Sequence, residues 1–258
     1  MRIVAIIPAR MASMRFPGKP LKEIGGLPMV EHVRRRALLS GAFAEVAVAT
    51  CDEAIARAVR RHGGRVLMTS PVHPAATDRV HEAARFLSCT HVVNVQGDEL
   101  LVPPRDLGRM VGEIRRRPEI PAWNAVARIS DEAVLRDRSV VKCMVSTTGR
   151  ILFCTRDASF LRAAGRSRFA AVRVLLGILA YRADYLRRYA ALSRTPLEKS
   201  EAIDQSRILE HDGLLQGVPF GHNYAGVNDP GEWRAARRIL ASDPNQRAIL
   251  EQVLSYGA

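Results

Sequence analysis

Through the first hundred positions, short unbroken apolar runs alternate with stretches whose apolar residues recur at helical spacing. The runs "RIVAIIPA", "EVAVAT", "GRVLMTS" and "HVVNVQGD" predict four strands with little polar alternation, and helical spacing covers 27–40, 52–62, 77–87 and about 105–116. Strands apolar on both faces and separated by helices predict a parallel sheet with right-handed crossovers. Past residue 120 the rhythm changes. "AWNAVARI", "VVKCMVS", "RILFCTR" and "VLLGILAYR" read as strands with few helices between them, which predicts a mixed extension of the sheet or a second lobe. Helices return at 182–190 and 198–210, followed by a strand near 214–219 and a helix from about 230. No repeat, low-complexity tract or flexible linker divides the chain, so 1–258 reads as one α/β unit.

Open α/β sheets bind ligands beyond the carboxyl ends of their strands. The polar ends here are 8–19 after the first strand, 50–52 after the second, and Gln96, Asp98 and Glu99 after the fourth. They are predicted to converge on one crevice.

Composition adds limits. With 258 residues, 47% of them apolar, a sizeable core is expected. No apolar run reaches the roughly 18 residues of a membrane span, and the first residues read as a strand and not a signal core, so a soluble cytoplasmic protein is expected. Cys51, Cys89, Cys143 and Cys154 have neither C-x-x-C nor zinc spacing and read as reduced thiols. The formal charge of +13 raises nucleic-acid binding. Arginines spread along the whole chain without interleaved aromatics argue against it, and no nucleic-acid partner is expected. Only Lys19, Lys22, Lys142 and Lys199 are lysines, so a lysine marks a position that wants a compact ammonium, above all Lys19 and Lys142.

The loop "PARMASMRFPGKP" carries Arg10, Arg15 and Lys19 between Pro8 and Gly18. Cations on a Pro/Gly-shaped loop with inward amides suit a polyphosphate. The P-loop pattern fails, since Ser13 holds its first glycine position and Pro20 follows the lysine. "NVQGDE" ends a buried strand in carboxylates, and magnesium sites use one or two carboxylates with substrate phosphates.

"IIPARMASMRFPGKPL" followed by "MVEHV" resembles the signature of the CMP-sugar nucleotidyltransferases, most closely the 3-deoxy-manno-octulosonate cytidylyltransferase (CMP-Kdo synthetase) family. "HPAATDR" is similar to that family's H-x-S-G-T-[DE]-R, and "VNVQGDE" to its V-N-V-Q-G-D-E-P. "VVKCM", "TRD", "LGILAYR", "TPLEKSEAIDQSRILE" and "GVNDPGE" follow in the family's order. The resemblance implies a Rossmann-like, glycosyltransferase-A-like nucleotide-diphospho-sugar transferase fold, with a mixed sheet and a dimerisation extension. It divides the chain into a CTP-binding core (1–120), an acceptor and dimerisation lobe (about 121–225) and a metal-side loop and helix (226–258). The implied partners are CTP, a small anionic acceptor and a second copy in a homodimer, with Mg2+ as cofactor. The implied catalytic residues are Lys19, Arg10 and Asp98. CTP is assigned to Pro8, Ala9, Arg10, Arg15, Lys19, Ala75, Ala76, Thr77, Arg79 and Gln96, and the acceptor to Gln96, Arg156, Leu175, Leu179, Glu201 and Gln205. Asp98 and Asn228 would hold the metal, with Asp229 as the alternative.

The chain departs from that pattern in four places. The family's second metal-binding aspartate is Asn228 here. Its sugar-side histidine and tyrosine are Leu175 and Leu179, its S-G pair is Ala75-Ala76, and the proline after Glu99 is Leu100. Leucines in place of polar sugar contacts imply a changed or less hydroxylated acceptor. Three readings follow: a cytidylyltransferase for a 3-deoxy-manno-octulosonate-type acid, a phosphonate cytidylyltransferase, and a nucleotide-binding homologue with little activity.

Overall fold

A computed structural model describes residues 1–257 apart from Met14, Ser130, 162–168, Ala170 and Ala225. Strand β1 (Ile3–Pro8) is buried at all six positions and lies parallel to both β4 (Glu45–Thr50) and β6 (His91–Val95). Burial on both faces explains why these strands read as continuous apolar runs. β5 (Arg65–Met68) adds a parallel edge beside β4. The other half of the sheet is mixed. The eleven-residue β10 (Val172–Arg182) runs antiparallel between β6 and β7 (Ala122–Arg128), and β11 (Leu215–Pro219) lies parallel to β7. The order is therefore β11-β7-β10-β6-β1-β4-β5. A hairpin of β8 (Lys142–Val145) and β9 (Ile151–Thr155) pairs with the first part of β10.

Helices cover both faces. Val30, Val33, Leu107 and Met110, from α1 (Met29–Leu39) and α4 (Pro104–Arg116), pack on one side, against Ile3, Ala5 and Ile7 of β1. On the other, Val80 and Ala83 of α3 (Ala76–Ala84) and Leu186 of α6 (Ala183–Ala191) pack against Val4 and Ile6. The remaining early helix, α2 (Glu53–Arg61), flanks β4 and β5. A third cluster joins Phe16 and Met29 to Leu100, Val227 and Leu240. Through it α9 (Pro230–Ser242) and α10 (Pro244–Ser255) close over the phosphate-suited loop.

The structure departs from the sequence expectation locally. Leu27–Pro28 is not helical; it forms β3, paired with β2 (Glu23–Ile24), and the helix begins at Met29. A short helix, α5 (Ala133–Arg136), had no signal in the periodicity. The helix expected over 198–210 is two pieces, α7 (Pro196–Glu201) and α8 (Ser206–Glu210). Ala202 between them has a left-handed backbone (φ 52°). The Glu201 and Ala202 carbonyls turn there to accept from the Arg156 guanidinium, at 2.7 and 3.3 Å. A tertiary contact ends the helix that local pattern would continue. Among the described residues no helix is long and apolar enough to cross a membrane.

Candidate active site

The loop after β1 is held before any ligand arrives. The Met11 amide donates to the Asp52 carboxylate at 2.8 Å, and the Ala9 amide to the Ala49 carbonyl at 2.9 Å. Gly18 takes a left-handed conformation (φ 69°) that only glycine adopts freely, and this launches a single 3-10 turn, Lys19–Leu21. Phe16 is buried edge-on to Trp233, and the Lys22 ammonium lies 5.7 Å from the centre of its ring. These anchors leave Arg10 and Arg15 exposed, and no hydrogen bond or ion pair ties either to the described residues. Lys19 turns inward, its Nζ 3.0 Å from Asp98 Oδ2.

Two contiguous recesses share Ala76, Gln96 and Asp98 in their walls. The smaller, of about 110 Å³, is lined by Pro8, Ala9, Arg10, Lys19, Pro20 and Gly97 besides those three. The larger, of about 560 Å³, extends from Arg15 and Ala75 past Glu99 and Gly177 to Arg156, Leu175 and Gln205, with Asn228 and Glu232 on one side. The three strand ends expected to converge therefore lie close together, with Asp52 holding the loop from below.

Several residues singled out from sequence do not line either recess. Thr77 is buried and donates to Asp204 Oδ2 at 3.1 Å; Arg79 is buried and donates to Thr69 Oγ1. Both hold α3 in place beneath Ala75 and Ala76. Leu179 pairs with Asn94 and Asn124 inside the sheet and packs in the core, because the crevice opens beside the earlier part of β10, where Leu175 to Gly177 lie. Of the two leucines, only Leu175 meets the cavity. Glu201 lies behind Arg156, its Oε2 accepting from the Arg156 amide at 2.8 Å. Asp229 caps α9, with Oδ1 accepting from the Gly231 and Glu232 amides at 2.7 and 2.8 Å. It is committed to the helix, and Asn228 faces the cavity in its stead.

Other wall residues are not singled out by the sequence, or are held in ways it does not specify. Asp204 stands in the wall, and burial raises its carboxyl above the usual aspartate range. Its position next to Gln205 in "EAIDQSR" was the available signal. Gln205 donates from Nε2 to Asn124 Oδ1 at 2.9 Å, and Asn124 in turn donates to the Leu176 carbonyl, so the amide orientation is set from beneath. Arg194, Asn223 and Tyr224 also line the large recess, from segments whose sequence gives no hint of it, and Glu232 joins them from the end of "GVNDPGE". The stretch carrying Ala202–Gln205 rests on Arg207, which grips Glu198 at 2.8 and 2.5 Å beneath the Tyr189 ring.

The charge balance is cationic at the loop and restrained on the carboxylate side. Burial, with repulsion from Asp98, pushes Glu99 up to about 8, against the opposing effects of the Gly177 amide and Lys19. Glu99 is thus largely neutral at pH 7, accepting from the Gly177 amide at 2.8 Å, and it is Asp98 that meets Lys19. Among the described residues no three His, Cys, Asp or Glu side chains cluster as a metal cage. The Val227 amide donates to the Asp98 carbonyl at 2.9 Å, which draws the Gly226–Asn228 turn alongside Asp98. The Asn228 Nδ2 bonds the Gly226 carbonyl at 3.2 Å, leaving its amide oxygen for other partners. A carboxylate and an amide oxygen beside a phosphate-sized recess suit a hard cation that takes its other ligands from substrate and water.

Comparison with known proteins agrees with this geometry. A family model described as cytidylyltransferase matches residues 4–215. The 3-deoxy-manno-octulosonate cytidylyltransferase of Rhodopseudomonas palustris strain HaA2 is 39% identical over 253 residues, covering 93% of this chain and 98% of that one. A CMP:2-keto-3-deoxy-manno-octonic acid synthetase solved with CTP superposes with a TM-score of 0.87 at 32% identity, covering 94% of this chain and all of that one. A Bacillus anthracis structure described as a putative glucose-1-phosphate thymidylyltransferase, at 13% identity and a TM-score of 0.69, shares the fold over 93% of this chain and 96% of its own. The cationic loop beside Asp98, the mixed sheet and these matches together show that the chain belongs to the cytidylyltransferase family, on the nucleotide-diphospho-sugar transferase fold.

Proposed function

We propose that the protein transfers CMP from CTP to a hydroxyl of a small anionic acceptor, a 3-deoxy-manno-octulosonate-type sugar acid, releasing pyrophosphate. The observation that carries this reading is the placement of Arg10 and Lys19 around a recess that also holds Asp98, contiguous with the cavity lined by Arg15, Arg156 and Gln205. The acceptor oxygen attacks the α-phosphorus; the bond from that phosphorus to the β-bridging oxygen breaks, pyrophosphate departs, and the hydroxyl proton is lost to solvent. Little covalent help is needed, so positioning and charge neutralisation supply most of the rate.

Pro8 and Ala9 lie where backbone groups meet the nucleoside, with Ala75 and Ala76 opposite. Lys19 and Arg10 offset charge on the leaving phosphates, and Arg15 reaches the same group from the larger recess. Arg156 and Gln205 address the acceptor. Asp98 and Asn228 are the residues to hold Mg2+, which when bound neutralises phosphate charge and acidifies the acceptor hydroxyl. One carboxylate fewer than in a two-aspartate site predicts a higher metal requirement.

A second reading rests on Leu175. With Val134, Val140, Val141 and Leu176 it makes the acceptor end of the cavity largely aliphatic, and Ser139 supplies a single hydroxyl there. That wall favours an acceptor with few hydroxyls, such as a small phosphonate, whose charge Arg156 and Arg194 offset. Incubation with CTP, Mg2+ and a panel of sugar acids and phosphonates, with pyrophosphate measured, separates the readings. Release with sugar acids supports the first. Release only with phosphonates supports the second. CTP binding without release from any acceptor overturns both in favour of a nucleotide-binding homologue.

We also infer a homodimer through the extension after residue 120, supported by exposed Leu152, Phe153 and Phe160, at 55%, 37% and 57%. Sedimentation equilibrium showing a monomer overturns it. Use of CTP, a nucleotide of the cell interior, supports a cytoplasmic site for the reaction.

A further inference from the structure

Lys142 is a fully buried charged side chain behind the wall of the larger cavity. No side chain of opposite charge lies within 4 Å of its nitrogen among the described residues, and its own exposure is zero. Its three N–H groups go instead to three backbone carbonyls: Asp137 at 2.7 Å, Val140 at 2.8 Å and Arg156 at 2.5 Å. Two of these belong to the turn that carries Ser139, Val140 and Val141 into the cavity wall. The third belongs to the residue just past β9, which presents the Arg156 cation to the same wall. The Arg156 guanidinium then reaches back to the turn, with Nη1 donating to the Arg138 carbonyl at 3.0 Å. The turn and the cation are thus locked to each other from both directions.

We propose that Lys142 is a positioning residue for the acceptor: its ammonium ties the 137–141 turn to residue 156, so that the aliphatic wall and the Arg156 charge keep one fixed spacing. The chemistry explains the residue type. Three carbonyls converging from different directions match the three donors of a compact tetrahedral ammonium, whereas a guanidinium spreads its five donors in one plane. In a chain where 35 of 39 basic residues are arginine, lysine persists at this buried position. Among the described residues no hydrogen bond or ion pair links Lys142 to the nucleotide recess, whose walls come from β1, the loop after it, α3 and the 96–98 turn. Its influence should therefore fall on the acceptor and spare CTP.

This inference rests on the transfer reading only for its kinetic arm. The test uses full-length Lys142→Met, which keeps the aliphatic stem, and Lys142→Arg, which keeps the charge. CTP dissociation constants by calorimetry should stay within twofold of wild type. The KM for 3-deoxy-manno-octulosonate should rise by about tenfold or more in both variants, with kcat changed less. Amide exchange should quicken by about tenfold in 137–141 and 155–158 alone. Equal losses in CTP and acceptor binding, an unmoved acceptor KM, or unchanged exchange would each overturn the proposal. A wild type inactive on the sugar acid counts against the transfer reading for that acceptor, and exchange then decides the anchor by itself. The wild-type Val140 amide, which donates to the Asp137 carbonyl at 3.2 Å, supplies a readout free of any folding defect: slow exchange is expected, and fast exchange overturns the anchor.

Discussion

Gly97 links the end of β6 to the smaller recess, the proposed nucleotide site, and substituting alanine there isolates one geometric requirement of that site. A Cβ built on Gly97 sits 2.8 Å from the Pro8 carbonyl oxygen, with Ala9 Cβ at 3.7 Å and Ile7 Cγ2 at 3.8 Å. Relaxed carbon–oxygen contacts begin near 3.3 Å, so Gly97→Ala must open the gap by about half an ångström. Pro8 cannot yield cheaply, because β1 is fully buried and pairs with β4 and β6 on either side. The strain should cost about 1–3 kcal/mol of stability, as overpacking does elsewhere. The same shift moves Pro8 and Ala9 relative to bound nucleotide. Losing one or two hydrogen bonds at about 1 kcal/mol each weakens CTP binding by roughly 5- to 30-fold. Calorimetric titration with CTP, beside thermal unfolding, reads both effects. Gly108→Ala is the control: it sits inside α4 with nothing within 4 Å of the added methyl, and should stabilise by up to about 1 kcal/mol without touching CTP. A Gly97→Ala protein that binds CTP within twofold of wild type would refute the claim that this close approach shapes the nucleotide recess.

Three further outcomes are expected. Leu175→His should change which acceptors release pyrophosphate, towards hydroxylated acids, while Leu179→Tyr should lose stability with no such change; a gain from Leu179→Tyr would mean the crevice reaches deeper along β10 than the strand pairing places it. Asn228→Asp should lower the Mg2+ concentration for half-maximal activity and tighten Mn2+ binding without acceptor present, and an unchanged requirement would remove Asn228 from the proposed metal site. His32 accounts for a pH effect away from the site: burial, aided by Arg36 and Arg35, lowers its pKa to about 4, while its ring nitrogen holds the Ile24 carbonyl at 2.8 Å. The unfolded chain binds that proton near pH 6.5, so the contribution is whole above pH 6.5 and is lost as pH falls towards 4, by roughly 3 kcal/mol. Denaturant titrations of wild type and His32→Asn at pH 7 and 4.5 should show that extra loss only in the wild type.

Much of the nucleotide side was legible because it is local in sequence. Arg10, Arg15 and Lys19 sit within ten residues, and the apolar runs that place them are buried on both faces. The proposed acceptor side was harder to read. It is assembled from β10, the 137–141 turn, residue 156 and the 202–205 stretch, far apart along the chain. Leu179 shows the difficulty: four residues from Leu175, it pairs with Asn94 inside the sheet. Asp229 shows the same: its carboxylate reads as a metal ligand, yet it is used by the first turn of α9.

The sequence by itself determined the parallel core, the cationic loop at its carboxyl edge and the carboxylate of Asp98, since each follows from short-range pattern and chain chemistry. Only the tertiary structure decided which residues line the larger cavity, where α7 must stop, and what the buried Lys142 holds. Those outcomes depend on where carbonyls from distant segments converge, and no local propensity encodes that convergence.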